Sequence, residues 1–150
     1  MTQPKPRSRR PVPRPDDFPH RAVETIRFGD LDRQNHVNNA VFSTFFESGR
    51  VTLFRPPERG LMPSGSIWTL AHIAIDYLGE MQWPGNVETG IGLISLGRTS
   101  ATFSQAIFFE GQCVATARAI NVLIEWTTRK PVAIPDEVRT NFAKWTIAGA

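Results

Sequence analysis

A single cysteine, three histidines and the absence of any long apolar run exclude much before a motif is read. Cys113 has no partner for an intrachain disulfide, so a stapled secreted scaffold is excluded and a reducing, cytoplasmic setting is expected. No stretch approaches the ~18 apolar residues of a membrane span, and the N-terminus lacks the apolar core of a signal peptide. No membrane partner is expected. His20, His36 and His72 are too dispersed and too poorly accompanied for a metal site. Cys113 has no basic neighbour in sequence and reads as a buried structural thiol. Gly90-Ile91-Gly92 lies within a strand pattern, not the strand–turn–helix context of a phosphate loop. Glycine there predicts a close backbone approach.

What is present is a chain of 150 residues with 41% hydrophobic residues, enough for one domain with a real core. Its net charge of +3 is carried entirely by residues 1–20, where Lys5, Arg7, Arg9, Arg10 and Arg14 oppose Asp16 and Asp17. The body is balanced and lacks the basic surface of a general nucleic-acid-binding domain. Pro4, Pro6, Pro11, Pro13, Pro15 and Pro19 crowd the same stretch. Residues 1–20 therefore read as a disordered, polyproline-like arm, and 21–150 as the folded domain.

Arg21–Phe28 alternates as a strand and ends at Gly29-Asp30. Asn38 or Asn39 caps a helix to about Phe54, with Val41 or Phe42, Phe45, Phe46, Gly49 and Leu53 on one face. Pro56-Pro57 stops it. Strands are predicted over 67–78, 87–96, 101–109 and 113–126, and a short helix from Pro135 to Trp145. Short turns between consecutive strands predict antiparallel neighbours. The class is α+β, a long helix laid against one antiparallel sheet. Under plain alternation, strand 67–78 carries Ile67, Ile73, Ile75 and Tyr77 on one face and Trp68 and Leu70 on the other. One helix layer cannot cover both, so a second subunit is expected as cover.

The stretch Arg27–Asn39 sends two carboxylates, Asp30 and Asp32, and His36 from a strand to a helix N-terminus. Free backbone N–H groups there can polarise a carbonyl oxygen while a carboxylate attacks it or deprotonates water. Turn and cap formation accounts for the same residue types without chemistry.

In wording this stretch resembles the hotdog-fold acyl-CoA thioesterases of the 4-hydroxybenzoyl-CoA thioesterase-like family. The matching pieces are Phe28, Asp30, Asp32, His36-Val37-Asn38-Asn39 and Glu47-Ser48-Gly49-Arg50. The likeness continues through Ile75-Asp76-Tyr77-Leu78, Gly97-Arg98-Thr99-Ser100 and Thr128-Arg129-Lys130-Pro131, spanning residues 21–142. It implies a sheet wrapped round the helix, a homodimer or dimer of dimers with active sites between subunits, and an acyl-CoA thioester substrate. It implies hydrolysis without a metal or redox cofactor.

Asp32 takes the place of the family's catalytic carboxylate, as nucleophile or general base, and a backbone N–H near Asn39 that of the oxyanion donor. Asp30 then shapes the loop. His36 either orients the carboxylate or a water, or is a loop histidine bonded to backbone. Arg98 and Ser100 offer donors to the nucleotide end of coenzyme A, and the close approach at Gly90 and Gly92 is where its extended pantetheine arm would lie. Asn35 stands where many relatives have glycine, and asparagine tolerates positive φ. Phe42 replaces a common tyrosine. Two rival readings are a hotdog dehydratase or hydratase, whose Gly-Asp-x-Asn-Pro-x-His string is missing, and a non-catalytic acyl-CoA sensor.

Overall fold

A computed structural model describes residues 11–149. The elements run β1 (His20–Thr25), α1 (Asn39–Phe54), β2 (Ser66–Tyr77), β3 (Asn86–Leu96), β4 (Ser100–Phe109), β5 (Gln112–Glu125) and α2 (Asp136–Phe142). Asn38 is the cap of α1: its side chain accepts from the Ala40 N–H at 3.0 Å, satisfying one of the donors a helix start leaves free. Phe42, Phe45, Phe46, Gly49 and Leu53 bury the face of α1 that meets the sheet. Val138 and Phe142 of α2 close the core at the far end of α1.

The five strands are antiparallel in the order β1-β3-β4-β5-β2. The expectation that consecutive strands are neighbours holds for β3–β4 and β4–β5 but fails for β2 and β3. Residues 78–85 are long enough to cross the sheet, placing β2 at one edge beside β5 and β3 between β1 and β4. Short-turn logic applies only where the link is too short to go elsewhere.

The two-faced strand also dissolves. The β2–β5 register slips between Leu70 and His72, a bulge at Ala71. An extra residue reverses the parity of everything after it. Trp68, Leu70, Ile73, Ile75 and Tyr77 pair with Leu123, Asn121, Ala119, Ala117 and Ala115, and so share one face. The coverage argument for a second subunit therefore does not stand in that form.

The boundary of the arm moves as well. Residues 1–10 lie outside the described residues, but Phe18 is 6% exposed and packs edge-on against Phe108 on the outer face of the sheet. Gly90 leaves the space: a Cβ there would meet the Phe18 ring at 2.6 Å. A Cβ on Gly92 would meet Ile147 at 2.8 Å and Pro19 at 3.0 Å, and the Ile147 N–H donates to the Leu93 carbonyl. The close approach predicted at these glycines is real. Its occupant is the chain's own two ends, not a pantetheine arm.

Candidate active site

The loop between β1 and α1 is closed by backbone. The Asp32 N–H donates to the His36 carbonyl at 2.9 Å, and the Asn35 N–H to the Asp32 carbonyl at 3.1 Å. Leu31 bridges Val37, whose N–H donates to the Met81 carbonyl at 2.8 Å. Asn35 sits at φ 62°, the left-handed region for which glycine is the usual choice and asparagine the best substitute.

Within this loop the two aspartates are held differently. Asp30 is buried, 2.8 Å from the Arg27 guanidinium, and accepts from the Arg27 N–H at 2.8 Å. Its own carbonyl accepts from the Asn38 N–H at the helix cap. Burial alone would raise the Asp30 carboxyl, but the Arg27 hydrogen bonds and charge outweigh it and hold the group below the usual carboxylate range. Asp30 thus ties strand exit to helix entry, the loop-shaping part expected of it.

Asp32 is half-buried. Its Oδ1 accepts from the backbone N–H of Gln34 at 2.8 Å and of His36 at 3.3 Å, while Oδ2 has no hydrogen-bond partner among the described residues. One oxygen is fixed and the other is available. The carboxylate borders a cavity of about 170 Å³ shared with His36, Asn39, Phe42, Gly79 and Glu80. Asn39 is the first helical residue, and its N–H has no acceptor among the described residues. Asn39, which carries a free donor at the positive end of a 16-residue helix, thus lines the cavity that Asp32 borders.

The His36 ring makes no hydrogen bond to Asp32. Its Nε2 lies 3.2 Å from Glu80, and only the backbone of His36 serves the aspartate. Sequence reasoning missed Glu80, because nothing but the fold brings residues 36 and 80 together. It missed Tyr77 likewise: its hydroxyl donates to the Asn39 carbonyl at 3.2 Å and its ring meets Phe42 edge-on at 5.2 Å. The hydroxyl that Phe42 lacks is thus supplied beside it from β2.

Arg98 and Ser100 are not part of this constellation. They flank the β3–β4 turn, whose Gly97 and Arg98 carbonyls accept from Arg139 on α2. That turn lies at the opposite end of α1 from Asp32, and a 16-residue helix is about 24 Å long. Cys113 is half-buried with its thiol pushed up by burial, consistent with a structural role. No cluster of three or more potential metal ligands occurs among the described residues, and no described helix is long and apolar enough to cross a membrane.

One long helix packed on a five-stranded antiparallel sheet, with an Asp-bearing loop at the helix start, defines the architecture of a thioesterase-like hotdog protein. The profile of the thioesterase-like superfamily matches residues 26–142, and the chain belongs to that family. Among solved structures, the PA5185 protein of Pseudomonas aeruginosa strain PAO1 is 29% identical with a TM-score of 0.82, covering 93% of this chain and 100% of its own. A predicted thioesterase from Bacillus stearothermophilus is 26% identical with a TM-score of 0.78, over 87% of this chain and 98% of its own. A thioesterase from Thermus thermophilus, complexed with coenzyme A and Zn, is 28% identical with a TM-score of 0.74, over 83% and 98%. A search among curated proteins gives no match.

Proposed function

We propose that this protein hydrolyses an acyl-CoA thioester to the free acid and thiol, with Asp32 as the reacting carboxylate. The observation that carries the reading is the division of labour at Asp32. Backbone donors fix Oδ1, Oδ2 is uncommitted, and Asn39, whose N–H is free, lines the same cavity. The Asn39 N–H stabilises the negative charge that develops on the thioester oxygen. The carboxylate either takes a proton from the attacking water or attacks the carbonyl itself, giving an anhydride that water then opens. Both routes release the acid and the protonated thiol. His36, paired with Glu80, acts as a positioning residue through its backbone hold on Asp32.

The likeness to a thioesterase complexed with coenzyme A supports a CoA-type substrate. On this reading Arg98 and Ser100 serve the nucleotide end of a CoA bound at Asp32 from a second copy, since within one chain they lie at the far end of α1. A homodimer is proposed on a second ground too. β2 is a 12-residue edge strand whose inner face still exposes Leu70 and Tyr77, at 42% and 47%. Long uncovered edges of this kind invite pairing. Turnover of acyl-CoAs of graded length, including aryl and branched chains, tests the reading. Hydrolysis of at least one class at enzymatic rates is expected, and none at all would refute it.

A further inference from the structure

Thioester cleavage beside Asp32 needs a second proton transfer. When the carbon–sulfur bond breaks, its electron pair goes to sulfur, in a cavity bordered by two carboxylates, Asp32 and Glu80. A further negative charge there is costly unless a proton meets the sulfur as it departs. Asp32 holds no proton on the anhydride route, and on the water route its proton lies on the side from which water attacked. Of the described residues that line the cavity, His36 is the one whose side chain can be a cation and release a proton near neutral pH. The Gln34 amide and the Asn39 N–H donate hydrogen bonds but give no proton away.

The fold fixes this histidine from two directions. On the loop side, its backbone N–H donates to Asp32 Oδ1 at 3.3 Å, and its carbonyl accepts from the Asp32 N–H at 2.9 Å. On the other side, the link from β2 to β3 is bound at both ends. The Leu78 and Gly79 N–H groups donate to the Val114 carbonyl at 2.8 and 3.0 Å, and the Met81 carbonyl accepts from the Val37 N–H at 2.8 Å. Glu80 sits between these points and meets the His36 Nε2 at 3.2 Å.

An ionised carboxylate accepts and does not donate, so Glu80 keeps a hydrogen on Nε2. Nδ1 has no partner among the described residues and is the nitrogen left to take up and release a proton. The pair adds little to folding. The Glu80 side chain is 69% exposed against 28% for His36, and ion pairs so open to solvent contribute little to stability.

We propose that the His36–Glu80 pair is the acid for the leaving group: the His36 imidazolium passes its Nδ1 proton to the departing sulfur, and Glu80 is the positioning residue that holds the ring through Nε2–H. The inference rests on the thioester-hydrolysis reading above and deepens it. As the carbon–sulfur bond breaks, its electron pair takes the Nδ1 proton and the thiol leaves neutral. His36 is then neutral, with Nε2–H still on Glu80. On either route water ends as the hydroxyl of the acid product and a proton on Asp32. Both shed their protons to solvent, and Nδ1 recovers one.

Leaving-group acidity separates this role from a structural one. One acyl group is offered as its CoA thioester and as its para-nitrothiophenyl thioester, whose acidic thiolate departs without a proton. Relative to wild type, His36→Gln should lower kcat/KM on the CoA ester by about 100-fold and on the nitrothiophenyl ester by less than about threefold. Glu80→Gln, which leaves the backbone hold on Asp32 in place, should show a smaller loss with the same dependence on the thiol. Equal losses on the two esters in either variant, or no loss in Glu80→Gln, overturn the proposal.

Asp32→Asn should lose both esters alike, and wild-type protein inert on both ends the hydrolase reading itself. Nitrogen NMR of histidine-labelled wild-type protein, with His36→Gln identifying the resonances, reads the ring without turnover. Neutral His36 should carry its hydrogen on Nε2. A hydrogen on Nδ1 instead overturns the proposal whatever the kinetics show.

Discussion

Asp30 and Asp32 are two residues apart and equally acidic, yet one is buried against Arg27 and the other keeps an oxygen free beside the helix start. Asp30→Asn therefore acts through stability: it leaves the Arg27 guanidinium without its partner and loosens the tie to the α1 cap. A drop in melting temperature larger than that of Asp32→Asn is the expected calorimetric result. Acid titration separates Asp30 from His20.

His20 donates or accepts at Thr52 at 2.9 Å and lies 3.5 Å from Arg59. Burial, followed by the Arg59 charge, lowers its pKa to about 4. With an unfolded value near ~6.5, the unfolded chain binds the proton first. The His20 contribution is complete above that value and is lost as pH falls toward 4. Asp30, depressed in the fold, keeps its contribution above the ordinary carboxylate pKa of ~3.9 and loses it at still lower pH. Urea melts across this range should show a slope between pH 6.5 and 4 that His20→Gln flattens. An unchanged slope would show that His20 does not carry it.

At the level of elements, α1 was the most legible part of the chain. The Asn38 cap, the 3–4 residue aromatic spacing and Pro56-Pro57 state its start, buried face and end. The strands were legible as strands, and the Asp32 loop as a turn leading into a capped helix, because turn and cap residues act locally. Three things were not. The crossing from β2 to β3 depends on which strands pair. The bulge at Ala71 leaves no mark in an alternating pattern, and the guests of Gly90 and Gly92 come from the two chain ends. Partners distant in sequence, such as Glu80 for His36 and Gln105 for Arg50, share that limit.

Deleting Ala71 tests the bulge. It would turn either Trp68 and Leu70 or Ile73, Ile75 and Tyr77 to the outer face, and an unfolded or aggregated product is expected where a polar surface deletion would be mild. Normal stability would refute the assigned register. Removing residues 1–10 should leave the melting temperature unchanged, whereas removal through Phe18 should lower it, because a buried aromatic ring is lost from the sheet. Equal melting temperatures for the two truncations would return Phe18 to the arm.

For the whole molecule, the cavity beside Asp32 is lined by no Lys or Arg side chain among the described residues, whereas the proposed coenzyme A substrate carries phosphates. Arg98 stands at the wrong end of α1. On the proposed reading a second copy would both supply that charge and cover the β2 edge, so sedimentation equilibrium at micromolar concentration should give a dimer or a dimer of dimers. An active 16.8 kDa species would contradict the shared site.

The central claim, that the uncommitted oxygen of Asp32 does the chemistry, is tested most directly by one paired measurement on Asp32→Asn: thioester turnover, and affinity for a non-hydrolysable acyl-CoA analogue. The amide keeps the shape of the side chain but cannot act as base or nucleophile, so turnover should fall by at least ~100-fold while the analogue still binds with near wild-type affinity. Near-normal turnover in Asp32→Asn would contradict the account.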